Sequence, residues 1–292
     1  MATDLPEALR FLLIALILDV VLAWLPGLRQ VLRAPADFVR ELAGFFDRRL
    51  NRERRGATTR FVRGFGITVA IAGLAWMMGD VIRDFAQGPR GADGIEVLAI
   101  MFLLAQRSSF DAARRTAREM EEGDHGRARA AIEALATAFC GGVVGVTFWY
   151  LILGLPGLAL YRAVHEVARR IARRGAFGRF PLILNAVGGA VPAPIAGTLL
   201  ALSALFVARA NPVRALGTML RDARKLDSPD AGFTVAAIAG AFGLALAGGP
   251  WIGDGRARAT AQDVRNAAYL YAVACLIHVG CLAVALAAYS PI

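Results

Sequence analysis

The sequence is poor in the side chains that most often carry chemistry in soluble proteins. It holds one lysine, Lys225, with three cysteines and three histidines. Cys140, Cys275 and Cys281 show neither CxxC nor paired spacing, so they read as small apolar fillers and give no disulfide framework. His125, His165 and His278 are scattered and build no HxxE, HExxH or Cys/His cluster, which leaves a metal site unsupported. The net charge of +10 comes without a nucleic-acid motif, so nucleic acid is not an expected partner.

Apolar residues are abundant instead. They make up 57% of the chain, against ~45–50% in a soluble domain. An integral membrane protein follows, and the 19% of charged residues then requires polar loops or amphipathic helices beside the spans. Arginine clusters next to spans fix orientation and meet anionic lipid, so membrane lipid is the expected partner.

Residues 8–25 form a first expected span, retained rather than cleaved, with Asp19 inside it. An acid at membrane depth is costly and is a functional candidate by default; the other reading is an interfacial residue paired with an arginine. Residues 26–60 carry nine arginines against four acids, which places that loop in the cytoplasm. Residues 61–82 form the next span, and 83–94 a short outer turn. Residues 95–106 are too short to span alone and are expected to continue as helix into the charged stretch 107–122. An Ala-rich amphipathic helix over 126–138 follows.

The centre of the chain is Cys140–Arg162, CGGVVGVTFWYLILGLPGLALYR. It is apolar throughout, yet Gly141–Gly142 and Gly154-Leu155-Pro156-Gly157 interrupt it, and helix interiors disfavour both residue types. Broken apolar backbone is tolerated at membrane depth only where protein or a water-filled cavity surrounds it, and such segments build sites. Residues 161–180 carry six arginines against Glu166, so a re-entrant excursion returning to the cytoplasm reconciles the charge with the topology. Residues 182–208 contain Pro192 and Pro194 and are expected to be kinked or a hairpin. Residues 209–231 are polar, 233–248 small and apolar, and 268–289 form a terminal span. The expected fold is all-α: one polytopic membrane domain over 1–292, with about four spans, broken or re-entrant apolar segments and cytoplasmic amphipathic helices.

Several stretches, in order, resemble the CobD/CbiB membrane proteins of cobalamin biosynthesis. Leu50–Arg55, Ser109-Phe110-Asp111-Ala112-Ala113 and the helix reading EEGDHGRARAA match in type and order. GGVVGVTFWYLILGLPGLALYRAV is similar to the family's central motif, DSPDAGFTVAAIAGAFGLALAGG to its S-P-N-A-G segment, and WIGDGRARATAQDVRNA to its L-G-D-G segment. The resemblance covers nearly the whole chain. It implies an enzyme that joins an aminopropanol, or its phosphate, to a carboxylate of adenosylcobyric acid as an amide. ATP and Mg²⁺ would be the cofactors, a corrinoid intermediate a ligand, and other cobalamin-pathway or membrane proteins possible partners. The implied location is the inner membrane, multi-pass, with the Arg-rich loops cytoplasmic.

The polar positions that remain are the site candidates. Asp19, Asp111 and Asp254 are the catalytic ones, and Arg162, Asn185, Asp230 and Arg256 the substrate-binding ones. Asp254 in Gly253-Asp254-Gly255 can reach a metal or cap a helix, and Asp230 fits an N-cap or Asx-turn. The sequence also departs from the family pattern. Gly141–Gly142 stands for Asp-Gly, His165 for Asn, and LNAVGGAVPAPIA lacks two Asp and an Arg. Losing such groups together removes metal ligands and substrate donors. A non-catalytic paralogue that uses the scaffold to bind a partner or lipid is therefore the alternative.

Overall fold

The computed structural model describes residues 5–22, 28–51, 56–88, 93–104, 106–120, 123–171, 175–226 and 228–289. Most of these are helical. Isolated bridges, Leu244 with Arg256 and Leu246 with Ile252, are the strand-like pairings among the described residues. The chain is an all-α membrane protein whose contacts gather into two compact units.

The first unit comprises 1–104 and 146–188. Its helices are α1 (Leu5–Leu22), α2 (Leu28–Leu50), α3 (Ala57–Ala86), α4 (Asp93–Leu103), α7 (Gly145–Ile171) and α8 (Arg179–Gly189). The second, 105–145 and 189–292, contains α5 (Gln106–Glu119), α6 (His125–Phe139), α9 (Pro192–Ser203), α10 (Pro212–Asp222), α11 (Pro229–Phe242) and α12 (Ala261–Tyr289).

Among the described residues, Ala57–Ala86, His125–Ile171 and Ala261–Tyr289 are long and apolar enough to cross a membrane. The broken pair α8 and α9 supplies a fourth candidate, which agrees with the expected number of about four. α3 exposes Met77, Met78 and Phe85, and α12 exposes Leu276 and Val284. Helices that are apolar on their outer faces suit lipid rather than water. The expected first span, α1, is not among these candidates, because it carries Glu7, Arg10 and Asp19 within its 18 residues.

Three local expectations need correction. The stretch 95–122 is two helices, with Leu104 outside both and Ala105 outside the described residues. No Gly or Pro marks that break. It falls where the chain passes from one unit to the other, so packing overrides local propensity. The helix over 126–138 is not separate from the central stretch but runs straight into it. Finally, the Gly-Gly interruption does not unwind the chain. Cys140–Val144 forms a single π turn, with the Gly145 N–H donating to the Cys140 carbonyl.

The second interruption is a real break. Gly154 sits at φ 65°, ψ −159°, inside what is otherwise one helix from Gly145 to Ile171. Pro156 follows two residues later and removes a backbone donor. The 182–208 segment breaks before Pro192, as the prolines require.

Each unit has its own core. In the first, Ala43, Ile67, Ile71, Val167, Ile171 and Phe177 pack together, joining α2, α3 and α7. In the second, Phe139 meets Tyr271 edge-on at 5.5 Å, and α11 packs against α9 and α10.

A Cβ at Gly154 would meet only Pro156 Cδ, at 3.8 Å, so space is available and the obstacle is backbone conformation. That region of φ/ψ is essentially glycine's alone, with a cost of ~1–3 kcal/mol for other residues. Gly154→Ala is expected to lower the melting temperature of the detergent-solubilised protein by at least ~2 °C. An unchanged melting temperature contradicts the assignment of this break to glycine.

Candidate functional site

Two polar clusters, one in each unit, hold three of the seven sequence candidates, Arg162 and Asn185 in the first and Asp254 in the second. In the first unit, Arg162 is buried on α7 and pairs with Glu166 one turn on, Nη2 to Oε1 at 2.8 Å. Arg40 of α2 reaches the same carboxylate, Nε to Oε2 at 3.2 Å. His165 Nδ1 lies 3.1 Å from Asn185 Oδ1 of α8. With that oxygen accepting, His165 carries its hydrogen on Nδ1. The imidazole stacks at 6.2 Å on Tyr161, which stacks in turn on Trp149, and the Trp149 indole N–H donates to the Gly188 carbonyl at 3.0 Å. Asn185 and Arg162 therefore reach the neighbours His165 and Glu166 on α7, which sequence reasoning did not select.

Among the described residues, three other acids in this unit are buried: Asp19, Glu96 and Asp47, which accepts from the Asn51 side-chain amide at 2.8 Å. Asp19 is 5% exposed, on the face of α1 that also buries Leu12, Ala15 and Leu16. Glu96 of α4 accepts from the Tyr150 hydroxyl at 2.7 Å, and both are fully covered. Glu96 was missed because α4 alone reads as an apolar helix too short to span.

The second unit holds an open polar pocket. Asn211, Arg214, Gly217, Thr218, Arg221 and Asp254 line it, with Val213, and its volume is about 690 Å³. α10 supplies most of the wall. Its start is set by Asn211, whose Oδ1 accepts the Arg214 N–H at 2.9 Å, and by Pro212 at the first helical position. Arg214, Thr218 and Arg221 then recur at the three-to-four spacing that lines one helix face.

Opposite them lies the loop from Gly243 to Thr260. Gly243 ends α11 in the left-handed conformation at φ 62°, and a Cβ there would sit 2.3 Å from Arg214 Nη2. The guanidinium is thus seated against residue 243 because that residue is glycine. The loop is tied down at several points. The Gly253 N–H donates to Asp222 Oδ2 at 2.8 Å, and the Ala247 N–H to Glu133 Oε1 at 2.8 Å. His125 Nδ1 meets the Ala259 carbonyl at 2.7 Å, and Arg129 lies over the Trp251 ring.

Asp222 is the knot. Its side chain has no exposure, yet its cover is its own partners: Arg221, half exposed, binds it through Nε and Nη2 at 2.8 and 3.0 Å, and Lys225 at 2.8 Å. The remaining Arg221 nitrogen, Nη1, donates to Asp254 Oδ2 at 3.1 Å. Hydrogen bonds from Arg221 hold the Asp222 carboxyl well below the usual carboxylate range, against the opposing effect of its burial. The same guanidinium lowers Asp254, and its bonds to Asp222 raise Arg221 itself. Arg214, Arg221 and Lys225 against Asp222 and Asp254 leave one net positive charge, which suits an anion.

The other candidates are placed elsewhere in this unit. Asp111 is half-buried on α5 and pairs with Arg107 at 3.4 Å, while Arg107 and Arg114 flank the Phe110 ring. Arg256 does not line the pocket but pairs with Asp263, and Asp263 and Thr260 cap α12 reciprocally. Asp230 opens α11, and its side chain lies outside the described residues. Asp254 is neither buried nor a helix cap, and it is 69% exposed beside Arg221. Among the described residues no three His, Cys, Asp or Glu side chains come together as a metal site.

Because the native value of Asp222 is depressed, its stabilising effect is complete above the ordinary carboxylate value of ~3.9 and is lost as pH falls through the native value. Hydrogen-exchange protection of residues 244–256 is therefore expected to hold from pH 8 to 5 and to fall only below pH 4. Asp222→Asn should lose ~1–3 kcal/mol of that protection at neutral pH. Equal protection in the variant contradicts the knot.

The model of the CobD/Cbib protein family matches residues 123–271 of this chain. The cobalamin biosynthesis protein CobD of Brucella melitensis biotype 1 is 32% identical over 88% of this chain and 90% of its own length. The CobD of a Sinorhizobium species is 32% identical over 93% of this chain and 96% of its own, and that of Rhodobacter capsulatus 28% over 81% of each. No solved structure matches. With a family model over half the chain and relatives of this likeness over nearly all of it, this all-α membrane protein belongs to the CobD/CbiB family of cobalamin biosynthesis.

Proposed function

We propose that the chain joins an aminopropanol, or its phosphate, to a carboxylate of adenosylcobyric acid, and that the pocket on α10 holds the reacting groups. The observation that carries this reading is the convergence of Arg214, Arg221 and Asp254 on one open pocket of about 690 Å³. The two guanidiniums suit a phosphate or carboxylate, which arginine binds in a planar fork. The Asp254 carboxylate suits an ammonium, and Asn211 and Thr218 suit neutral hydroxyls and amides. Net amide formation makes one C–N bond, breaks one C–O bond and releases one water.

ATP with Mg²⁺, if used, would supply the driving force by taking that oxygen away as phosphate. The residues fit the phosphates well, through Arg214 and Arg221. They offer magnesium one exposed carboxylate, Asp254, which agrees with its habit of binding through one or two carboxylates plus phosphate oxygens. The reaction belongs at the inner membrane of the cell, in a multi-pass protein whose Arg-rich loops are cytoplasmic. A corrinoid intermediate and other cobalamin-pathway or membrane proteins are the partners this reading requires.

A second reading has its own observation. Asp111, Asp222 and Asp263 are all engaged by arginine, and the family's central Asp-Gly has become Gly141–Gly142. Acids so committed favour a scaffold that binds a partner or lipid without catalysis. Complementation separates the two. A strain lacking its amide synthase, grown on cobyric acid in place of cobinamide, is expected to be rescued by this chain. Arg214→Gln and Asp254→Asn should each slow that growth about tenfold, the equivalent of ~1.4 kcal/mol. Failure of the parent chain despite good membrane expression overturns the enzymatic reading in favour of the scaffold.

A further inference from the structure

The first unit carries an open groove that the proposed reaction does not use. It has a volume of about 830 Å³ and is lined mainly by α2, with Arg170 from the end of α7. Its two sides differ in chemistry. Phe38 and Phe45, 65% and 47% exposed, stand seven residues apart on one face of α2. On the other side are Arg40, Arg48 and Arg170. The Arg170 guanidinium is seated over Gly44, where a Cβ would approach its Nε and Nη2 to 3.0 Å.

The charges do not cancel. Arg40 is shared between Asp37 and Glu166, and Glu166 also takes Arg162, so these two arginines and two acids balance. Among the described residues, no carboxylate lies within ion-pair distance of Arg48 or Arg170. Glu41 is the one other acid lining the groove, which leaves one net positive charge. The position along the chain is also particular. Arg170 is the penultimate residue of the membrane-length helix His125–Ile171, and Arg48 lies nine residues before the span Ala57–Ala86. Both arginines therefore lie close in sequence to the ends of apolar helices, where arginine clusters meet anionic lipid.

We propose that this groove binds one anionic phospholipid, with its phosphate between Arg48 and Arg170 and its acyl chains along Phe38 and Phe45. One net positive charge matches the single negative charge of phosphatidylglycerol, and the exposed phenyl rings match the glycerol-to-acyl boundary. A soluble anion would satisfy the arginines but leave the two phenyl rings in water. A zwitterionic lipid would cover the rings but bring its own cation to the arginines. The anionic lipid satisfies both.

The test is native mass spectrometry of the full chain released from detergent, after incubation with equal amounts of dioleoylphosphatidylglycerol and dioleoylphosphatidylcholine. The expected result is at least tenfold greater retention of the glycerol lipid, at one lipid per chain. Arg48→Gln with Arg170→Gln should abolish the preference, and Arg48→Lys with Arg170→Lys should keep most of it. If the glutamine pair does not fold, Phe38→Ser with Phe45→Ser, at exposed positions, should lower retention of the glycerol lipid. Equal retention of both lipids by the parent chain overturns the proposal, as does an undiminished preference in the glutamine or serine pair.

Discussion

Asp222 ties the last turn of α10 to the loop that faces it, and the whole pocket depends on that tie. Without it, Arg221 has no fixed direction and Asp254 no fixed neighbour. The carboxylate takes two bonds from Arg221, one from Lys225 and one from the Gly253 N–H. Removing one partner uncovers the charge left behind, because the partners are themselves the cover, and Arg221 is already half exposed. The knot therefore acts through geometry more than through net energy. It points Arg221 at two aspartates at once and leaves Arg214 beside it, pressed against Gly243, able to meet an incoming anion.

The first unit solves a harder version of the same problem. A buried charge in a membrane protein must be paired or must face a cavity. The buried pair Arg162 and Glu166 is joined by the exposed Arg40, and Asp37 at the surface offsets the extra cation. Beside it, His165 Nδ1 meets the Asn185 side-chain oxygen, and the imidazole stacks on Tyr161, which stacks on Trp149. Backbone obeys the same constraint. The central stretch keeps its hydrogen bonds through a π turn at its first glycine pair, and Gly154 absorbs the sharp change of direction in the chain that Pro156 follows.

Much of this was legible in the sequence, and the reasons differ by element. The spans α3 and α12 followed from apolar length, and the break before Pro192 from proline itself. The family followed from motif order, which local physics does not supply. The site was only partly legible. Arg162 and Asn185 stood out as polar residues among apolar ones, but their neighbours Glu166 and His165 are revealed only by packing between α7, α8 and α2. Asp254 was visible in its glycine turn. Arg214, Thr218 and Arg221 lie inside the stretch 209–231, which reads simply as polar, although their spacing and the Asn211-Pro212 start mark a helix with a polar face. The separation of α4 from α5 had no local signal at all, since it reflects which unit each helix joins.

The central claim is that Arg214 and Arg221 meet the substrate's anionic group, and chemical protection tests it most directly. The solubilised chain would be treated with phenylglyoxal, with and without aminopropanol phosphate, and each arginine followed by peptide mass spectrometry. The account predicts that the ligand slows modification of Arg214 and Arg221 at least tenfold and leaves Arg114 and Arg258 unaffected. Equal rates at Arg214 and Arg221 with and without ligand, in a chain shown to be folded, would contradict it.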